Sequence, residues 1–133
     1  MIRYLLDTNA VISLLNSVTS PTAVKARQVN PREVGVSSIV AHELFYGAFK
    51  SARPTQNVAL VDALQFDILE FDKEDARQAG EVRAHLAKRG TPIGPYDVLI
   101  AGQALARSLI LVSHNTNEFT RVPGLQLEDW TTA

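Results

Sequence analysis

The sequence predicts an α/β fold, a three-layer sandwich in which helices flank a short, mostly parallel central sheet. Three observations carry that prediction. Short apolar segments, IRYLL at positions 2–6 and LILV at 109–112, read as strands buried on both faces, the habit of parallel sheets. Segments with helix start signals alternate with these strands along the chain. The 133 residues contain no repeat, low-complexity tract or dividing linker, so a single domain over 1–133 is expected, large enough to bury a proper core.

The elements follow in order. Ile2 to Leu6 is a strand running straight into Asp7, and Ala10 to Leu15 is a helix that weakens near Asn16 and Ser17. Pro21 opens a second helix over Thr22 to Val29, since proline suits a first turn. Val34 to Val36 is a strand, after which Ser37 or Ser38 caps a helix from about Ile39 to Lys50. Pro54 starts another, Thr55 to Leu64, and Phe66 to Phe71 alternates as a strand should. Asp72 caps a helix over Lys73 to Lys88, which Arg89-Gly90 ends. After a loop at Thr91 to Gly94, Pro95 begins a helix reaching about Arg107, and Leu109 to Val112 is the strongest strand. Asn117 to Thr120 is one helical turn, and Leu125 to Leu127 a last short strand. In folds of this class ligands gather at the carboxyl ends of the strands. Asp7 stands at one such end; Ser113, His114 and Asn115 stand at another.

Composition narrows the chemistry. Without cysteine, disulfides, zinc–thiolate sites and thiol catalysis are excluded, and a reducing cytoplasm is compatible. The N-terminus lacks the apolar stretch and cleavage site of a signal peptide. Val98 to Val112, interrupted by Gln103, Arg107 and Ser108, is too short and too polar to span a bilayer. A formal net charge of −1 argues against holding nucleic acid by bulk electrostatics, though not against a local contact beside an acidic centre.

Three carboxylates stand alone in otherwise uncharged sequence. Asp7 is the only charged residue between Arg3 and Lys25, Glu43 between Glu33 and Lys50, and Asp97 between Arg89 and Arg107. Each has a structural explanation of its own: a helix N-cap for Asp7, a solvent-reaching Glu past Gly47 for Glu43, the positive end of a helix for Asp97. Taken together, three isolated acids in apolar sequence point to one site. Carboxylates gathered there repel and raise one another's pKa, and a hard divalent ion such as Mg²⁺ removes that difficulty with one or two carboxylates and waters. Such an ion also stabilises charge on a phosphoryl oxygen. Thr8 and Asn9 are polar neighbours of Asp7, and Ala101 and Ala104 lie on the helical face of Asp97, where small residues leave room before its carboxylate. Asn115 and Glu118 are candidates for a fourth polar position; a turn in which Asn115 caps Asn117 to Phe119 explains them as well. Arg83, Lys88 and Arg89 precede the Asp97 segment and suit either a solvated helix face or a phosphate backbone; Lys50 and Arg53 form a second basic edge. His42, His85 and His114 share no metal-ligand spacing, and neither a Gly-rich phosphate loop nor a nucleophile elbow is present.

The ordered motifs resemble a known family. Leu6-Asp7-Thr8-Asn9 is similar to the opening motif of PIN domains, Ala41-His42-Glu43-Leu44 with Tyr46-Gly47 to the second acidic motif, and Pro92-Ile93-Gly94-Pro95-Tyr96-Asp97 with Ile100-Ala101 to the third. Leu111-Val112-Ser113-His114-Asn115 with Glu118-Phe119, then Val122-Pro123-Gly124-Leu125 and Glu128-Asp129-Trp130, resembles the C-terminal signature of VapC-type toxins. The resemblance spans essentially the whole chain. It implies a Mg²⁺- or Mn²⁺-dependent endoribonuclease, the cytoplasmic toxin of a type II toxin–antitoxin pair. Its RNA substrate extends to a structured RNA such as tRNA. By the same resemblance Asp7, Glu43 and Asp97 are the catalytic, metal-holding acids, Asp7 and Asp97 closest and Glu43 acting through water. Thr8 and Asn115 are auxiliary, and Asn115 stands where many PIN domains carry a further Asp, which lowers the negative charge available to a second ion. Ser113 replaces a common Thr and keeps its hydroxyl. A homodimer and an antitoxin covering the site are implied as well. Two other readings remain open at this point: a catalytically silent RNA- or partner-binding module of the same fold, and a metal-dependent phosphatase.

Overall fold

The computed structural model describes residues 1–131. Five strands form one parallel sheet among the described residues: β1 (Tyr4–Leu6), β2 (Val34–Ser37), β3 (Asp67–Leu69), β4 (Ile110–Val112) and β5 (Gln126–Glu128), in the order β3-β2-β1-β4-β5. Helices α1 (Thr8–Asn16), α2 (Pro21–Gln28), α3 (Ser38–Lys50), α4 (Pro54–Asp62), α5 (Lys73–Lys88), α6 (Pro95–Ala106) and α7 (Thr116–Phe119) connect the strands and flank the sheet. The expected three-layer α/β architecture is therefore observed. No helix among the described residues is long and apolar enough to cross a membrane.

The central strands β1, β2 and β4 explain why IRYLL and LILV lack polar alternation. Leu5, Leu6, Val36 and Leu111 are wholly buried, and each strand is covered on both faces. The edge strand β3 shows the opposite: Asp67 and Ile68 are exposed, and with a single neighbour it shortens to three residues of the six in FDILEF. Helix boundaries follow local chemistry. Asp7, Ser20 and Ser37 cap α1, α2 and α3 through their side chains, which settles the Ser37/Ser38 alternative, and Asp72 and Asp75 form a capping box at α5. Helix α5 ends at Arg89, followed by Gly90 at φ 69°, a left-handed conformation that glycine adopts without penalty.

Helices α5 and α6 pack so closely that a Cβ on Gly102 would lie 2.5 Å from the backbone of Ala79. The same pair is locked by a buried polar group. Asp75, with its side chain 1% exposed, receives Arg107 Nη2 at 2.9 Å and Gln103 Nε2 at 3.0 Å, while Arg107 also donates to the carbonyl of Glu70 at 2.6 Å. A buried carboxylate needs such partners. This clamp fixes the C-terminal half of α6 and, through a rigid helix, the position of Asp97 at its other end. Ala101 and Ala104 are fully buried in the core. They pack α6 against its neighbours and do not leave the expected room before Asp97.

Candidate active site

The chain builds outward from β1 to β2 and β3, then returns to the other side of β1 for β4 and β5. The reversal places a crevice at the carboxyl ends of β1 and β4. Asp7 and Ser113 stand there side by side, directly beyond the paired residues Leu6 and Val112. Backbone bonds hold them: the Asp7 N–H reaches the carbonyl of Val112 at 3.1 Å, and the Ser113 N–H reaches that of Glu128 at 3.0 Å.

Asp7 is 5% exposed. Its Oδ1 accepts the Ala10 N–H at 2.9 Å, so the N-cap explanation of Asp7 is correct, but it is incomplete. Burial pushes the carboxyl above its ordinary range; the Ser113 hydroxyl and the Ala10 N–H oppose the rise, and the charges of Glu43 and Asp129 add to it. Glu43, on α3, is tied to the same place because its Oε1 accepts the Thr8 hydroxyl at 3.0 Å. Thr8 thus bridges the motif after β1 to the acid on α3.

Asp97 occupies the first turn of α6, where Gly94 leaves room beside its Oδ2: a Cβ on Gly94 would stand 3.1 Å away. Its carboxyl is pushed up to about 7, first by burial, then by a hydrogen bond and charge repulsion from Glu118, then by Asp7 and Glu43. Glu118 is held below the usual carboxylate range, first by its hydrogen bond with Asp97; burial opposes this, and Asn115, Gly94 and Arg121 add to the lowering in that order. Asn115 Nδ2 donates to Glu118 Oε2 at 2.6 Å and the Gly94 N–H to Oε1 at 3.3 Å. The interaction between the two carboxyls thus favours a proton on Asp97 and charge on Glu118. Asn115 occupies the N-cap position of α7 but makes no side-chain cap there; its amide grips Glu118.

Four carboxylates from β1, α3, α6 and α7 therefore share one crevice. Their donors are oxygens throughout, with no thiolate available, which is the chemistry of a site for a hard divalent ion. Among the described residues no group of three or more acidic or imidazole side chains is arranged to hold a metal ion by itself.

The PIN domain model matches residues 4–125. The chain belongs to the PIN-domain family. Within it, this PIN domain is similar along nearly its whole length to VapC proteins. It is 41% identical over 133 residues to the tRNA(fMet)-specific endonuclease VapC of Salmonella typhimurium strain LT2, covering 98% of this chain and 99% of that one. It is 39% identical over 133 residues to the ribonuclease VapC2 of Haemophilus influenzae strain Rd, with the same coverage of 98% and 99%. Among solved structures it resembles DNA-bound VapBC from Salmonella typhimurium, with a TM-score of 0.92, 39% identity and coverage of 98% and 99%. It also resembles VapBC2 from Rickettsia felis bound to a fragment of promoter DNA, with a TM-score of 0.89, 34% identity and coverage of 98% and 99%.

Of the residues singled out in this PIN domain's sequence, Asp7, Thr8, Glu43, Asp97 and Asn115 lie in the crevice. Arg83 lines a groove of about 370 Å³ with Pro92, Pro95 and Val98, next to Asp97 in the chain. Lys88 and Arg89 are exposed at the end of α5 and make no ion pair among the described residues. The cation that acts on the acidic cluster is Arg121, which reaches the carbonyl of Pro92 at 3.1 Å and whose charge lowers Glu118. Sequence reasoning does not single it out, although the spacing of Asn115, Glu118 and Arg121 is that of one helical face.

Proposed function

We propose that this PIN domain is a metal-dependent endoribonuclease, the toxin of a type II toxin–antitoxin pair, working as a single domain over 1–133. The observation that carries the proposal is the gathering of buried Asp7 and half-buried Asp97 beside Glu43 and Glu118 at the sheet's switch point, where burial first, and the neighbouring carboxylates with it, raise both carboxyls. The names of the VapC relatives, ribonucleases and a tRNA-specific endonuclease, support the same reading and make a structured RNA such as tRNA the substrate class.

Asp7 and Asp97 would hold Mg²⁺ or Mn²⁺ directly and Glu43 through water. The bound ion supplies positive charge to the phosphoryl oxygens and to the attacking water. The chain's own residues do the positioning. Ser113 and the Ala10 N–H orient Asp7, Thr8 orients Glu43, and Glu118, itself held by Asn115, stands against Asp97. Arg83, Lys88 and Arg89 contact the RNA backbone beside the crevice.

A cognate antitoxin covers the site in this reading. An apolar groove of about 340 Å³ between α1, α3 and α4, lined by Ile12, Leu15, Leu44 and Leu60, reaches Glu43 and suits an amphipathic antitoxin segment. The protein acts in the cytoplasm as a homodimer. The chemistry is tested by the ends of its products: purified protein with Mg²⁺ should leave 5′-phosphate and 3′-hydroxyl ends on RNA. Ends carrying 2′,3′-cyclic phosphate would exclude water-mediated hydrolysis at this site.

A further inference from the structure

A second cavity, of about 470 Å³, opens on the β4 side of Asp7. We propose that it is a nucleobase subsite, which takes one unstacked base of the RNA adjoining the bond to be cut. The inference rests on the nuclease reading above and adds to it where the substrate is gripped.

The first argument is continuity. Ser113 and Asn115 line the cavity, and the same two residues orient Asp7 and Glu118. A nucleotide whose phosphate lies in the acidic crevice can place its neighbouring base in this cavity without a gap. The second argument is the chemistry of the walls. Asn9, Ser13, Asn117 and Thr131 present amides and hydroxyls, with neither Lys nor Arg among the lining residues. A phosphate group calls for cations; a base edge calls for mixed donors and acceptors, which an amide supplies together. Among the described residues the side chains of Asn9 and Asn117 have no hydrogen-bond partner, so both remain available.

The third argument is His114. Its side chain is 73% exposed, yet its Nδ1 is held by Asp129 Oδ2 at 3.1 Å and by Thr131 Oγ1 at 3.0 Å. An exposed ring fixed by two contacts loses little freedom when a base stacks on it. The opposite nitrogen, Nε2, has no hydrogen-bond partner among the described residues and is available to a polar edge. Trp130 forms the floor; it is fixed edge-on against Tyr4 with centroids 5.3 Å apart and donates through Nε1 to Glu128 at 2.9 Å.

Trp130 is the only tryptophan in the chain, so its fluorescence reports the cavity. The experiment uses the full chain, free of antitoxin, with chelator and a single-stranded oligoribonucleotide spanning a site that the wild type cuts. Polarisation of the labelled oligonucleotide measures binding independently. Binding should change the Trp130 emission. His114→Ala and Asn117→Ala, both at exposed positions, should weaken that binding roughly tenfold each, the worth of one base contact. With Mg²⁺ restored they should raise KM by a similar factor, change kcat little, and broaden the choice of cut position. Unchanged emission on confirmed binding, or variants that match the wild type in KM and cut position, would overturn the subsite while leaving the nuclease intact. Variants that lose antitoxin affinity but keep wild-type RNA kinetics would assign the cavity to the antitoxin and overturn it too. A wild type that neither binds nor cuts RNA would overturn the nuclease reading, and this one with it.

Discussion

Replacing Asp97 with asparagine should stabilise the metal-free protein. In the folded state the Asp97 carboxyl titrates at about 7 against an ordinary 3.8. Between those two values the folded protein holds a proton that the unfolded chain has released. Its contribution to stability therefore falls as pH rises from about 4 to about 7 and is flat above that. At roughly 1.4 kcal/mol per pH unit the gap sets a ceiling of about 4 kcal/mol. Asp97 is only half-buried, and solvent screening brings the expected cost to about 2 kcal/mol. Glu118, held below its ordinary 4.5, works with opposite sign and only at lower pH. The Asp97→Asn substitution keeps a donor for Glu118 without the buried charge. Thermal unfolding in chelator at pH 8 should place this variant above the wild type by about 7 °C for a chain of this length. The difference should narrow as pH falls below about 7 and vanish only below about pH 4, and saturating Mg²⁺ should raise the wild type more than the variant. A variant less stable than wild type at pH 8, or a gap that ignores pH, would refute the argument.

Three further outcomes follow from the packing and the crevice. Gly102→Ala forces a Cβ to within 2.5 Å of the Ala79 backbone and should cost at least about 2 kcal/mol in denaturant unfolding, since neither helix can yield without moving the other. Arg107→Ala strips the ion pair from buried Asp75. Burial pushes that carboxyl up, but Arg107, the capping bond with Asp72, and Gln103 together hold it below the usual range. The substitution should cost about 3 kcal/mol at pH 7, and the lost part is the one that in wild type fades as pH falls through the folded value of Asp75. Ser113→Ala removes the hydroxyl that holds Asp7 down and accepts the Asn115 N–H at 2.9 Å. RNA cleavage should slow roughly tenfold as Asp7 loses its positioning, and the acid limb of the rate profile should move to higher pH.

Much of the fold and the site is legible in the chain because its signals are local. IRYLL and LILV read as buried strands from their own composition, and Asp7, Ser20, Ser37 and Asp72 mark helix starts with their own side chains. The three isolated acids stand out because buried charge is costly wherever the fold places it. What escapes depends on residues far apart in sequence. Glu118 meets Gly94 across 24 positions, and Arg107 meets Asp75 across 32; no local pattern encodes either. Ala101 and Ala104 mislead for a related reason. Helix α6 is buried around most of its circumference, so small residues serve close packing there and not access to Asp97. The short β3 shows the remaining limit: alternation in FDILEF gives the strand, but only the sheet order reveals that it lies at an edge.

The most direct test of the acidic centre is the initial rate of RNA cleavage by purified, antitoxin-free protein across a Mg²⁺ titration, with an Asp7→Asn, Asp97→Asn double variant beside it. The wild type should show no cleavage in chelator and a rate that rises and saturates with Mg²⁺, while the folded double variant stays at background at every concentration. Cleavage that persists in chelator, or survives in the double variant, would contradict a metal-dependent site built on these two carboxylates.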